Sequence, residues 1–398
     1  MALSASDGSR PSIAKIGDLA AAAGLRRIHV LSWRDLADVE AGGSEVHAAT
    51  VAKLWAEAGI DVTLRTSYAQ GQAPVVMRNG YKVIRRAGRY LVFPRAMGSE
   101  VLGRHGPRDA LVEIWNGMPF FSPVWNRGPG IVLLHHVHAE MWKMVLGDEA
   151  PWAATLGDTI ERRIAPLAYR KSRIVTLSQS SKDDIIEMLN LPASHIDVIP
   201  PGIDPMFTPG GDRAAKPLVM AVGRLVPVKR YDHLIRSVAI ARRLRPDLTL
   251  TIVGEGYERE GLDDVVREVD GTEWVTFAGH VSDHELVDTY RRAWLVTSAS
   301  AREGWGMSLT EAAACGTPAV ATRIPGHTDA VVDGETGVLV DRDDDAALGA
   351  AIGDLIDDHE RRARLGAAAL ARAAGYSWEA TATGIMRALA AEAQRHHR

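Results

Sequence analysis

The chain holds a single cysteine, Cys315, in 398 residues. That excludes an internal disulfide and any cysteine-rich zinc centre, and it fits a reducing compartment. No run of about 18 apolar residues occurs, so no segment reads as membrane-spanning. Neither sign of charge dominates: 46 Lys+Arg against 50 Asp+Glu leave a net charge of −4 and a pI near 6.4, which argues against a general nucleic-acid binder. The G-x-G-x-x-G spacing of a dinucleotide site is missing too, which weakens an oxidoreductase reading. In the leader "MALSASDGSRPSIAKIGDLAAAAGL", Lys15 and Asp18 break the apolar part, too poor for a secretory h-region. It reads as a disordered start followed by a short helix packed on the fold, and the protein as cytoplasmic.

What is present is an ordinary globular composition, 46% hydrophobic and 24% charged, at a length that suits about two to three domains. Apolar, β-rich runs alternate with helical patterns. In the first half these are "RIHVLSW" (27–33), helix 44–58, "DVTLRT" (61–66), "ALVEIW" (110–115), "GIVLLHH" (130–136), helix 156–171, "RIVTLS" (173–178), helix 180–189 and "IDVIPP" (196–201). The second half repeats the alternation from "KPLVMAVG" (216–223) to "TGVLVD" (336–341). Runs with little polar alternation mean sheets covered on both faces, and their alternation with helices means parallel, doubly wound sheets.

The Pro/Gly-rich stretch "PPGIDPMFTPGGDRAAKP" (200–217) has no periodicity and separates the halves. The expected layout is a leader and short helix at 1–26, a Rossmann-like domain at 27–203, a linker at 204–216, and a second Rossmann-like domain at 217–376. The cleft between the domains is the default ligand site.

Several stretches carry chemistry. In "EAGGSEVHAATVAKLWAEAG" (40–59), Gly42 and Gly43 fall between a strand and a helix. They are either a plain βα turn or a place where backbone amides reach a phosphate. In "AVGRLVPVKRYDHLI" (221–235), Arg224 and Lys229 flank a strand end, either as surface charges or as a fork and a point charge on a diphosphate. Gly254 and Gly256 in "TIVGEGYERE" suit a base or ribose lying near the backbone. His280 lies in a similar turn, where Ser282 and Glu285 have capping-box spacing.

"REGWGMSLTEAAACGTP" (302–318) opens a helix at Met307, leaving the amides of Met307, Ser308 and Leu309 free for an anion. Glu311 and Glu303 suit the hydroxyls of a ribose and a sugar, although the helix macrodipole alone also favours glutamate there. The alanines after them let the helix lie close to its neighbours. "IVLLHHVHAEMW" (131–142) places His135, His136 and His138 past a strand end, as sugar contacts or packing groups. With no third ligand cluster, no metal is expected, and Asp341-Arg342-Asp343 reads as a dipole-favoured helix start. Residues 78–108 carry Arg78, Lys82, Arg85, Arg86, Arg89, Arg95, Arg104 and Arg108 against Glu100 alone, with Tyr81, Tyr90 and Phe93 interleaved. That is a solvated rim, or a docking surface for anionic lipid headgroups or an acidic acceptor.

Taken together the motifs resemble one family. Glu303, seven residues, then Glu311 reproduces the E-x7-E motif of retaining family-four glycosyltransferases of GT-B architecture. "GGSE" (42–45), "GRLVPVK" (223–229), "PGIDPMF" (201–207), "GWGMSLTEAAACGTPAVAT" and "DGETGVLV" (333–340) fall in the family's order. The resemblance covers roughly 27–380 and is looser between 67 and 110.

It implies that the Gly43 backbone, Arg224, Lys229 and the amides of Ser308 and Leu309 hold a donor diphosphate. Glu311 binds ribose, Glu303 the transferred sugar, and His136 contacts that sugar near its reacting carbon. Gly202-Ile203-Asp204 matches the family's G-[VI]-D loop, with Pro201 in place of the usual Asn; Asn116 joins Gly202 and Asp204 as an acceptor or interdomain contact. The last helix, 377–394, would cross back onto the first domain.

The implied reaction is metal-independent, front-face transfer of a hexose-type sugar from a UDP- or GDP-sugar to an acceptor glycan, lipid-linked or small-molecule hydroxyl, with no cofactor. The implied location is the cytoplasm, with peripheral contact at the inner membrane face through 78–108. A GT-B nucleotide-sugar epimerase and a non-catalytic sugar-nucleotide-binding module are the rivals. Epimer formed from donor alone would identify the first, and product formed with an acceptor would exclude the second.

Overall fold

The unbroken apolar runs become strands hidden on both faces, as a parallel sheet between helices requires. "ALVEIW" is buried at all six positions, including Glu113, whose carboxylate accepts the amides of Phe120 (2.7 Å) and Ser122 (3.0 Å) and the Tyr169 hydroxyl (2.6 Å). A computed structural model describes residues 10–147 and 150–397. The chain divides into two compact units, Met1–Gly202 with Ser377–Arg398, and Ile203–Tyr376.

The first unit contains β1 (Arg27–Leu31), β2 (Asp61–Thr66), β3 (Val75–Arg78), β4 (Tyr81–Arg85), β5 (Ala110–Trp115), β6 (Gly130–Leu134), β7 (Arg173–Thr176) and β8 (Ile196–Val198). Their order is β3-β4-β2-β1-β5-β6-β7-β8. All pairs are parallel except β3–β4, a hairpin turned at Asn79-Gly80 with φ of 46° and 86°. Trp115, Val132, Leu134, Tyr169 and Ile174 form one core on this sheet. The leader's expected helix is Arg10–Ala22, with Ile16 and Ala20 buried; the expected disordered start falls in 1–9, outside the described residues.

The second unit is a fully parallel sheet of β9 (Leu218–Val222), β10 (Thr249–Val253), β11 (Val275–Gly279), β12 (Leu295–Ser298), β13 (Ala319–Thr322) and β14 (Gly337–Val340), ordered β11-β10-β9-β12-β13-β14. Its core gathers Val219, Ala221, Leu250, Ile252, Leu295 and Val320. Ser282 and Glu285 cap the helix Asp283–Arg292 reciprocally.

Four expectations need correction. Residues 204–216 are not a free linker: Arg213 donates to the carbonyl of Arg291 (3.1 Å), and Ala214 bonds to Arg292 O (2.9 Å) and Trp294 Nε1 (2.7 Å). These bonds satisfy the carboxyl end of the helix Asp283–Arg292. The expected helix 156–171 is Pro151–Thr159 and Ala165–Tyr169, joined by a π turn over Ile160–Ile164. The strand "GIVLLHH" stops at Leu134. The basic stretch is also not all rim. Arg78 and Arg85 pair with buried Asp35 (2.8 and 3.2 Å), Arg89 with Glu40, and Arg108 with Glu100 (2.7 Å).

Candidate active site

In each sheet the strand order reverses once, and loops leaving the carboxyl ends of the strands flanking that point form a crevice. In the second unit the reversal lies between β9 and β12. Gly223 (φ 151°) follows β9, and a short 3₁₀ turn, Pro227–Lys229, leads to the helix Tyr231–Arg242. Ala301, after β12, donates to Val228 O (2.8 Å) and ties the two loops together.

Across that tie Lys229 Nζ bonds to Glu303 Oε1, which also accepts Ser300 Oγ at 2.8 Å. The side chains of the pair keep 22% and 19% exposure, so a ligand can reach them. Burial works to raise the Glu303 pKa, but the charges of Lys229 and His327 and the hydrogen bonds hold it below the usual carboxylate range.

The helix Met307–Ala314 starts at Gly306 (φ 150°). Leu309 N donates to Gly306 O (3.0 Å), closing the first turn, so the expectation of three free amides is corrected to two: among the described residues, Met307 and Ser308 have no backbone acceptor. Glu311, one turn on, accepts Tyr290 Oη at 2.9 Å. Burial pushes its pKa up to about 7; the Tyr290 bond opposes that rise and the charge of Asp204 adds to it. Asp204 caps its own loop through Met206 N (3.0 Å), and Phe207 packs edge-on to Tyr290 at 5.8 Å.

The thin alanine helix has a structural reason. The helix His359–Ala373 lies so close that a side chain at Gly366 would come within 2.6 Å of Gly316 O. Cys315 beside it is buried, and burial pushes its thiol up to about 11.

Other glycines find explanations unrelated to a base or ribose. A Cβ at Gly254 would overlap Gly223 O, and one at Gly256 would overlap Leu225 O. They permit loop-on-loop packing at the ends of β9 and β10. A Cβ at Gly202 would likewise overlap Trp378 N, so this glycine lets the helix Trp378–His396 begin against the end of the first unit's chain. His280 donates its amide to Glu255 Oε1 (3.3 Å). Arg224 lies half-buried one residue after Gly223.

In the first unit the reversal lies between β1 and β5. The helix Gly43–Glu57 follows β1, and Asn116, at the end of β5, donates to Ser44 Oγ (3.0 Å). Gly42 does not offer its amide to a ligand, because it donates to the buried Glu45 carboxylate (2.8 Å); Gly43 heads the helix. After β6, His135 Nε2 lies 3.3 Å from His47 Nδ1, both rings buried, while His136 stacks on His138 at 4.8 Å.

Glu161 holds this histidine loop by accepting the amides of His138 (2.9 Å) and Ala139 (3.1 Å) and Trp142 Nε1 (3.0 Å). Glu161 lies in the π turn and is fully buried. Glu161, Tyr290, Ser300 and His327 are the site residues that sequence reasoning missed. Only the isolated histidine of "IPGHTD" carries a local signal for any of them.

Both halves of the chain match known families. The Glycosyltransferase Family 4 model covers residues 41–207, and the Glycosyl transferases group 1 model covers 206–372. This chain belongs to the family-four glycosyltransferases.

A D-inositol 3-phosphate glycosyltransferase from Stackebrandtia nassauensis is 36% identical over 242 residues, 56% of this chain and 54% of the relative. The chain thus spans about half the length of that relative. One of the same name from Paenarthrobacter aurescens is 29% identical over 379 residues, 86% of this chain and 91% of that protein. Among solved structures, sucrose-phosphate synthase from Thermosynechococcus elongatus superposes with a TM-score of 0.77 at 19% identity, covering 90% of this glycosyltransferase and 97% of that chain. The fold is GT-B. Among the described residues no helix of the glycosyltransferase is long and apolar enough to cross a membrane.

Proposed function

We propose that the chain moves a sugar from a nucleoside-diphosphate sugar to an acceptor hydroxyl, with retention at the anomeric carbon and without a metal ion. The observation that carries this reading is the convergence, at the reversal point of the second sheet, of Lys229, Glu303 and the leading amides of the helix Met307–Ala314, with Glu311 one turn further on.

Lys229 has three N–H donors and spends one on Glu303, so the pair offers a sugar phosphate both a cation and an acceptor. Arg224, Lys229 and the amides of Met307 and Ser308 stabilise charge on the departing diphosphate. Glu311 accepts hydrogen bonds from the ribose, Glu303 from the sugar.

The bond from C1 to the diphosphate oxygen breaks and the bond from C1 to the acceptor oxygen forms on the same face. The acceptor's proton passes to the departing phosphate. The relatives' name supports a phosphorylated cyclitol as the acceptor class.

The test is turnover of a nucleotide sugar chosen by thermal shift against UDP- and GDP-sugars. Lys229→Ala and Arg224→Ala are expected to lower kcat by about 10²-fold or more, the scale of removing one group that stabilises a developing charge. Glu311→Ala is expected to weaken free-nucleotide binding instead. Near-wild-type kcat in both basic variants removes the leaving-group role.

A second reading concerns the membrane. On the helix Val92–Val101 and its flanks, Tyr90, Leu91, Val101 and Leu102 are exposed beside exposed Arg86, Arg95 and Arg104. Glu100, the sole acid of 78–108, is buried and accepts from His29, His105 and Arg108. Exposed apolar side chains and exposed arginines on one segment suit an anionic lipid surface.

A further inference from the structure

The loop after β13, "RIPGH" (323–327), presses on the loop that carries Glu303. Gly326 (φ 84°) permits the approach: a side chain there would lie 2.7 Å from Glu303 O and 2.8 Å from Trp305 N. On the other side, Gly306 leaves room for the His327 ring, whose Cδ2 would stand 3.3 Å from any Cβ added at that position. Two glycines at positive φ, where a side chain would be strained, therefore seat one imidazole between Glu303 and the start of the helix Met307–Ala314.

That ring is 1% exposed, and its Nδ1 lies 2.9 Å from Thr322 O. A carbonyl only accepts, so Nδ1 carries the proton and the tautomer is set. Thr322 Oγ1 donates to Ser300 O (2.8 Å), and Ser300 Oγ donates to Glu303 Oε1 (2.8 Å), the oxygen that takes Lys229. A continuous series of contacts thus runs from the imidazole to the carboxylate. Burial lowers the His327 pKa; the Glu303 charge and the Thr322 carbonyl oppose this and Lys229 reinforces it.

We propose that His327 is a positioning residue for sugar recognition: through Thr322 and Ser300 it holds the Glu303 carboxylate in the orientation that meets the donor's sugar hydroxyls. This rests on the reading of Glu303 as the sugar contact. Because His327 acts on Glu303 and not on the nucleotide, it affects binding of the nucleotide sugar and spares binding of the free nucleotide.

The experiment compares Kd for UDP-glucose with Kd for UDP (or GDP-mannose with GDP, as thermal shift selects) by calorimetry, with no turnover needed. Glu303→Gln is expected to raise the ratio of the two by about tenfold, the scale of one hydrogen bond to a charged group. His327→Leu is expected to raise it by about three- to tenfold, with free-nucleotide Kd within about twofold of wild type. His327→Asn, which keeps an N–H for Thr322 O, is expected to recover most of the difference. Thr322→Val removes only a hydroxyl and gives the same direction should the leucine variant fail to fold.

Glu303→Gln raising the ratio while His327→Leu and Thr322→Val leave it unchanged overturns the inference and spares the transferase reading. Glu303→Gln without effect overturns both. Equal losses for UDP and UDP-glucose in His327→Leu, with no recovery in His327→Asn, make the histidine merely structural.

Discussion

Glu303 and Glu311 are the same residue type eight positions apart, yet their surroundings drive their acidities in opposite directions. Lys229 keeps the first ionised; burial, with the charge of Asp204 adding to it and the Tyr290 phenol opposing it, pushes the second up to about 7. Such divergence marks groups with different tasks. A ribose diol donates its hydrogens, so it binds the ionised form of Glu311. Nucleotide affinity is therefore expected to fall as pH drops through about 7, as seen by calorimetry across that range.

Tyr290→Phe removes the bond that opposes the rise, so the same loss is expected to begin at a higher pH. An affinity flat from about pH 6 to 8 contradicts the assignment. For stability without ligand the sign is reversed. The folded state holds the Glu311 proton more tightly than the unfolded chain, so this group's contribution is fully present below about 4.5 and is lost as pH rises towards about 7.

At the level of elements, glycines decide how closely loops and helices meet. Gly202→Ala would drive a methyl into Trp378 N at the head of the helix Trp378–His396. The cost is expected to be about 3 kcal/mol, the upper range for overpacking, read as a lower urea midpoint and faster amide exchange along that helix. An unchanged midpoint means the backbone there relaxes freely.

Most of the alternating architecture was legible because parallel strands covered on both faces leave apolar runs that polar alternation does not interrupt. The hairpin β3–β4 was overlooked despite its Asn79-Gly80 turn, since Lys82 and Arg85 make β4 look solvated; Arg85 is buried against Asp35, distant in sequence, and the carbonyl of Ala73. Pro94 and Gly98 disguised the helix Val92–Val101. In the site, spacing exposed Lys229, Glu303 and Glu311. Tyr290 and Glu161 acquire their partners from non-neighbouring segments, and the His327 loop meets the Glu303 loop only through the fold, relations that spacing along the chain does not encode.

On the scale of the whole molecule, the net charge of −4 hides a cationic segment in the first unit. With Arg78, Arg85, Arg89 and Arg108 engaged internally and Lys82 half-buried, the membrane reading narrows to the exposed Arg86, Arg95 and Arg104. Flotation with phosphatidylserine vesicles is expected to carry the wild type and to lose it when those three become glutamate. Phosphatidylcholine vesicles and added salt are expected to lose it as well. Wild type remaining in the aqueous fraction with anionic vesicles removes this role.

The lone thiol has a practical consequence. Cys315 is buried and kept protonated near neutral pH, so maleimides and mild oxidants will pass it by. A cysteine placed at Val39 (92% exposed) or Leu244 (76% exposed) becomes the chain's one reactive handle. Each unit can therefore carry a fluorophore or spin label of its own, with the native sequence otherwise untouched.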